Sequence, residues 1–313
     1  MLTDQGALDA LAGLADEAEA ARSVFWEDEL RDLSVAPDEH AAGVGALGNV
    51  SRKVSGVRTL GHAVLQWPLR RFLSAYPDLA DCARLGRLIA GRQGRQFTYD
   101  MLRQCFTLAL LRHHLDLRPA NECNLVIGDG YGVMSALLLL HAPHRKTIVT
   151  NLTKPLLLDL VYIRQAVPSL RFALVSGPED LLEALDDPDI PLIAVRADDV
   201  PLIVEAPIGL AVNIVSMQEM DPSVIDAYFD TLRHNKAEQT AFYCCNKLYK
   251  RLSDGTELKF NDYPWRDGDT VVHDSVCSWN QWYYDMKPLF WHHRTGKDRV
   301  IWHRLALLEM EAP

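Results

Sequence analysis

The 313-residue chain contains no apolar run long enough to cross a bilayer, so no membrane span is expected. Its opening, MLTDQGALDALAGLADEAEAARSVF, is acidic and lacks the basic flank and apolar centre of a signal peptide. Positive charge is in deficit: 32 Lys+Arg against 42 Asp+Glu give a formal net charge of −10, which argues against a nucleic-acid partner. The six cysteines (Cys82, Cys105, Cys123, Cys244, Cys245 and Cys277) form no C-x-x-C pair. No metal site is expected from them, and the chain reads as cytoplasmic with reduced thiols. Repeats and low-complexity tracts are absent as well. The glycine-rich turn near residue 130 is not followed by Lys-Ser/Thr, which excludes a P-loop.

What the chain does have is NLVIGDGYGVMSALLLL, Asn124 to Leu140. Asn124 to Ile127 reads as a buried strand, Gly128-Asp129-Gly130-Tyr131-Gly132 as a turn, and Val133 onward as a helix. Alternate glycines let the backbone bend sharply and lie close to a ligand, and the following helix aims free N–H groups at the same point. A dinucleotide fingerprint would need a third glycine at residue 133, which is Val133. A tight strand–helix turn with no cofactor is the plain alternative.

Residues 1–120 read as a helical region. Leu8, Leu11, Leu14 and Ala18 fall at helical spacing, and Phe97 to His114 is a further amphipathic helix. Pro37 to Gly48 reads as a small-residue loop. Arginines and lysines collect at Arg52, Lys53, Arg58, Arg70, Arg71, Arg84, Arg87, Arg92 and Arg95, either as solvated helix faces or as contacts to an anionic substrate group. From 121 to 313 strands and helices alternate, with strand candidates at Lys146–Leu152, Arg171–Ser176, Leu192–Ala197, Leu210–Ser216 and Gln239–Asn246. Such alternation predicts an α/β fold, a parallel sheet with helices on both faces. Ligands in such sheets bind beyond the carboxyl ends of the strands. Trp265, Trp279, Trp282, Trp291 and Trp302 crowd the tail, as a sugar-binding wall, a subdomain core or a homodimer surface.

The G-x-G-x-G spacing resembles motif I of Rossmann-like S-adenosylmethionine (SAM) methyltransferases. Two more segments, VNIVSMQEMDPSVIDAYFDTL (Val212 to Leu232) and FYCCNKLYKR (Phe242 to Arg251), extend the likeness. Together they resemble a family of sugar O-methyltransferases from bacterial polysaccharide and glycosylated-metabolite clusters, over roughly residues 124–260. The resemblance implies a Rossmann-like SAM-binding domain over 121–313, capped by the helical region 1–120, with S-adenosylhomocysteine as product. It places the cofactor on Gly128, Asp129, Gly130, Tyr131, Gly132, Asn151, Leu152, Ser216, Met217 and Gln218. Two positions depart from the pattern. Val126 stands where an acid usually precedes the first glycine, and Asn151 stands where an acid usually binds the ribose hydroxyls. Asp129 could supply the missing carboxylate.

A sugar hydroxyl is a poor nucleophile, so a base or a metal must assist its deprotonation. His273, beside Asp274, is the expected base, with Glu219 just past a strand end as a second catalytic candidate. Glu219, Asn246, Tyr263 and Trp265 are expected to line the acceptor site. His234 reads as a helix-end residue, and the pairs His113-His114 and His292-His293 as structural. Two other functions stay open: methyl transfer to a non-sugar small molecule, at an amine or a carboxylate, and a degenerate methyltransferase fold acting as a binding subunit.

Overall fold

The computed structural model describes residues 1–29, 56–117, 119, 121–284 and 290–311. The expected loop Pro37–Gly48 and the cations Arg52 and Lys53 lie outside them. The strands are β1 Leu2–Thr3, β2 Cys123–Ile127, β3 Thr147–Asn151, β4 Phe172–Val175, β5 Leu192–Arg196, β6 Ile208–Ile214, β7 Ala241–Lys247, β8 Tyr249–Arg251, β9 Glu257–Lys259, β10 Thr270–Val276, β11 Trp282–Tyr284, β12 Trp291–His293 and β13 Ile301–Leu307. The α-helices are α1 Asp4–Leu14, α2 Val24–Glu29, α3 Gly56–Gln66, α4 Leu79–Arg92, α5 Tyr99–His114, α6 Val133–His141, α7 Thr153–Ala166, α8 Pro178–Asp186, α9 Pro222–His234 and α10 Ser278–Gln281.

Nine of these strands form one sheet in the order β1-β4-β5-β3-β2-β6-β7-β13-β10. From β2 to β7 the pairings are parallel. β1, β13 and β10 add antiparallel pairings at the two ends. Parallel central strands are covered on both faces, so they read as continuous apolar runs; all five residues of β2 are buried. Alternation still sorts them by face. Leu125 and Ile127 point into the core beside α9, while Val126 points into the core beside α5 and α6. The chain steps from β2 to β3, goes out to β4, comes back to insert β5 between β4 and β3, then crosses past β2 to lay down β6 and β7. Progress therefore reverses between β2 and β6, which is where a sheet of this kind opens a crevice. This is the Rossmann-like α/β architecture expected from the sequence.

Local rules set the helix ends. α8 and α9 both begin with proline at the first helical position, and α8 carries Glu179 and Asp180 in its first turn. α6 is apolar all round, with Ala136, Leu137 and Leu138 fully buried. Each such leucine contributes roughly 1.5–3 kcal/mol, and this packing fixes where the helix starts and so where the glycine turn must end.

Two expectations are corrected. The first helix stops at Leu14, and Ala18 is exposed. The chain leaves the helix because its next acids find better partners on α7. Asp16 pairs with Lys154 at 2.9 Å, and Glu19 accepts from the Thr153 N–H at 2.7 Å and its hydroxyl at 2.8 Å. The aromatic tail is not a separate core, because β13 and β10 continue the main sheet. Its tryptophans divide between the two faces: Trp279 stacks on Phe106 of α5, and Trp265 on Phe242 of β7. Among the described residues no helix is long and apolar enough to cross a membrane.

The tail is tied to α9 by Arg233. Its guanidinium grips Asp269 with both terminal nitrogens, at 2.7 and 3.0 Å, and donates to the carbonyls of Glu309 and Pro264. Both side chains are almost fully buried, at 1% and 2% exposure. Removing one member leaves a buried charge unpaired, so Arg233→Ala is expected to lower stability by about 3–5 kcal/mol. Urea unfolding checks this; a loss under about 1 kcal/mol would show that the pair is not needed.

A candidate cofactor cleft at the strand ends

A cleft of about 260 Å³ lies where β2 and β6 diverge. Gly128, Asp129 and Gly130 form its floor, Asn151 and Leu152 one wall, and Val215, Ser216, Gln218 and Glu219 the other. Its volume is just below the usual range of small-molecule sites, roughly 300–1,000 Å³.

The turn is held by its glycines and by two carboxylates. Gly128, Gly130 and Gly132 have φ of +69°, +80° and +62°, left-handed values that favour glycine. A Cβ on Gly128 would lie 2.5 Å from the Ser216 hydroxyl, and one on Gly132 would enter the Ile163 side chain. The Asp129 carboxylate accepts the N–H groups of Met134 and Ser135 at 2.9 and 2.7 Å, capping α6. Asp159, buried in α7, accepts the Gly132 N–H at 3.1 Å and the Asn151 amide at 2.9 Å. Burial pushes the Asp129 carboxyl above its usual range against its hydrogen bonds to the helix end. Asp159 is pushed well above it by burial and then by the nearby Asp129 charge.

Asn151 is thus placed at the expected strand end, with an environment the sequence did not show. Its amide nitrogen donates to Asp159, and its oxygen accepts from the Leu152 N–H at 3.0 Å. One amide hydrogen and one lone pair remain for a ligand. An aspartate here would face Asp159 across a hydrogen-bond distance, so asparagine at 151 is matched to the acid at 159. Asp159 interrupts the apolar run LLLDLVY, and a lone acid in such a run is the signal that could have found it.

The opposite wall rests on a buried amide network. Asn213 donates to the Ile127 carbonyl at 3.0 Å and accepts from Asn246 at 2.7 Å. Asn246 accepts the Gln218 N–H at 3.1 Å, and the Gln218 side chain accepts the Lys247 N–H at 2.9 Å. These bonds lock the ends of β2, β6 and β7 together. Val215, next to Ser216, holds φ +62°, a left-handed value costly for a β-branched residue, of order 1–3 kcal/mol. Glu219 follows. Its carboxylate, 13% exposed, accepts from Lys250 at 3.0 Å and from Gln218 at 3.4 Å. Burial raises its carboxyl above the usual range, against the Lys250 charge.

The N-terminal region roofs the cleft. Trp26 lines it, the Ser23 hydroxyl donates to the Glu219 carbonyl, and Lys250 lies over the Phe25 ring at 4.2 Å. Asp100, Arg103 and Gln104 of α5 line it as well, with the partly exposed Lys247 and Arg294 and the buried Asn280.

The cleft therefore gathers Gly128, Asp129, Gly130, Asn151, Leu152, Ser216, Gln218 and Glu219 from the expected set. Tyr131, Gly132 and Met217 sit behind it; Tyr131 packs on Tyr162 with the Arg95 guanidinium over its ring. Asn246 is fully buried beneath it. Four expectations are corrected: Asn246, Tyr263, Trp265 and His273 do not line the cleft. Tyr263 and Trp265 pack into the core under α9, around Phe229 and Phe260. His273 lies on β10, the outer strand, because β13 inserts between β10 and β7. There it bonds His303 at 2.9 Å and Ser275 at 3.0 Å. Burial, with His303 and His114 nearby, pushes its imidazole down to about 4. Asp274 points to the other face of the strand and pairs with Arg304 and Trp302. His292 stacks on Tyr283, and His293 meets Trp282 edge to face.

The fold and the cleft together define a Rossmann-like α/β protein with a glycine-floored cleft at its switch point. No family model matches the chain, and no curated protein matches it. Solved structures do align with it, at low similarity. The pyocyanin biosynthetic protein PhzM aligns at 12% identity over 66% of this chain and 58% of its own, with a TM-score of 0.36. The methyltransferase CalO6 gives 10% identity over 59% and 56%, with a TM-score of 0.34. The Haemonchus contortus phosphoethanolamine N-methyltransferase 2, solved with phosphomonomethylethanolamine and S-adenosylhomocysteine, gives 12% over 65% and 52%, with a TM-score of 0.34. The alignments thus span somewhat over half the length of each of these proteins.

The Asn151–Asp159 pairing makes a prediction. Asn151→Asp puts two carboxylates in contact, so one must hold a proton and its pKa rises. The stability of this variant relative to the parent is therefore expected to fall as pH rises from about 5 to 8, by about 1–3 kcal/mol at the upper end. The exchange Asn151→Asp with Asp159→Asn should recover most of the loss. Thermal unfolding at both pH values checks this, and a single variant as stable as the parent at pH 8 would refute the pairing.

Proposed function

We propose that the protein is a SAM-dependent O-methyltransferase whose acceptor is a sugar hydroxyl. The observation that carries the cofactor reading is the Asp129 cap. The helix end where a dinucleotide turn receives pyrophosphate is already met by a carboxylate. A second anion there would be repelled, whereas a phosphate-free nucleoside cofactor meets no such conflict. The glycine floor offers close backbone approach, and Asn151 offers one donor and one acceptor to a ribose edge. The sugar acceptor is supported by the sequence resemblance alone, and the helical N-terminal region is assigned the role of cap.

SAM supplies a methyl group on a sulfonium, ready for in-line transfer to an oxygen. The chain supplies position and a proton acceptor. Gly128 to Gly130 and Asn151 hold the cofactor, and the Trp26 roof sheds water from the cleft. With His273 on the outer strand, Glu219 takes the role of base: it lines the cleft, and burial raises its carboxyl, which makes the carboxylate a stronger proton acceptor.

Calorimetric titration with S-adenosylhomocysteine tests the reading. The parent should bind, and Gly130→Val should bind at least tenfold more weakly, since a β-branched residue resists φ +80°. No binding by the parent would sink the proposal in favour of a binding subunit.

Turnover tests the base. Glu219→Gln should lower kcat by about 10²–10⁴-fold with cofactor affinity nearly unchanged. Activity should fall as pH drops through the raised pKa of Glu219. Lys250→Met removes a charge that lowers that pKa, so it should move this acid limb to higher pH. A Glu219→Gln enzyme with near-parent kcat would remove Glu219 from the chemistry.

A further inference from the structure

The cleft mixes both signs in a chain that is acidic as a whole: Asp100, Asp129 and Glu219 line it together with three cations. The protein carries a formal net charge of −10, yet Arg103, Lys247 and Arg294 line the cleft, and Lys250 stands beside it on Glu219. Two of these cations are neutralised locally: Arg103 pairs with Asp100, and Lys250 with Glu219. The other two are not. Among the described residues, neither Lys247 nor Arg294 has an ion-pair partner. Lys247 is partly buried, and burial, then Lys250 and Arg294, hold its ammonium below the ordinary lysine range. Arg294 is fixed in place, with Nε donating to the Asn280 carbonyl at 3.2 Å and its plane over Tyr283 at 5.1 Å. Among the described residues its terminal nitrogens make no hydrogen bond. Lys247 feels the Glu219 charge, but that carboxylate already pairs with Lys250, and partly buried cations without an ion pair of their own are costly; a bound anion would neutralise both.

We propose that the methyl acceptor carries an anionic group, a carboxylate or a phosphate ester, held at the mouth of the cleft by Lys247 and Arg294. This rests on the methyltransferase reading above and narrows its acceptor to an acidic sugar. The position agrees with the roles already assigned. Lys247 is the last residue of β7, and Gln218, the neighbour of Glu219, accepts its backbone N–H. An acceptor anchored there presents its hydroxyl to Glu219 rather than to the glycine floor.

The test uses the full chain saturated with S-adenosylhomocysteine and inorganic phosphate as the probe. The parent should bind phosphate with an affinity that falls as salt rises. Lys247→Met and Arg294→Met should each weaken phosphate binding by about tenfold or more while changing S-adenosylhomocysteine affinity by less than about twofold. Methyl transfer should then occur to glucuronate or to glucose 6-phosphate and be far slower to glucose; which acidic sugar is used separates carboxylate from phosphate recognition. Loss of S-adenosylhomocysteine affinity in either variant would assign that cation to the cofactor and overturn the proposal. So would a parent that binds the cofactor product but no phosphate, or that prefers glucose. A parent that binds no S-adenosylhomocysteine fails earlier, on the methyltransferase reading itself.

Discussion

The structure depends on how two carboxylates hold one glycine turn. Asp129 fastens the turn to the helix that follows it, and Asp159 fastens its far end to α7 and to the end of β3. Burying two acids near each other is expensive, and both are displaced toward their protonated forms. The expense is met by backbone N–H groups that would otherwise lack partners at a helix start. The floor of the cleft is therefore fixed before any ligand arrives, which is what a site needs if most of its catalytic power comes from placement.

Much of this was legible in the sequence. Strands from Asn124, Lys146, Leu192, Leu210 and Gln239 appear within about two residues of their expected bounds, because buried parallel strands write themselves as apolar runs between turn residues. The glycine turn was legible for a similar reason: its spacing is a backbone requirement. What escaped notice was pairing at a distance. Asn151 reads as a departure until Asp159, eight residues on, is seen against it. Asn213 and Asn246 lie 33 residues apart and become one network only when β6 and β7 are neighbours. His273 beside Asp274 suggested a dyad, but strand neighbours point to opposite faces. Nothing local could show that β13 would come between β10 and β7. The tryptophan at the cleft, Trp26, comes from the region least expected to supply one.

The electrostatics follow the same division. Charges that serve the fold are matched, as with Arg233 on Asp269, and charges at the mouth are left unmatched. The surplus of cations there is small, but it sits in a net-acidic molecule, where long-range repulsion would turn away anions approaching elsewhere.

The contacts of the roof also set an order of events during folding. Ser23 meets Glu219 across 196 positions of chain, and Glu19 meets Thr153 across 134. Contacts so distant in sequence carry a high loop-closure cost and reward the chain only after the intervening sheet exists. The cleft is thus expected to be roofed last and, in the finished protein, to be uncovered first. Its protection from hydrogen exchange should be set by the local opening of this strap, well below the stability of the sheet beneath it.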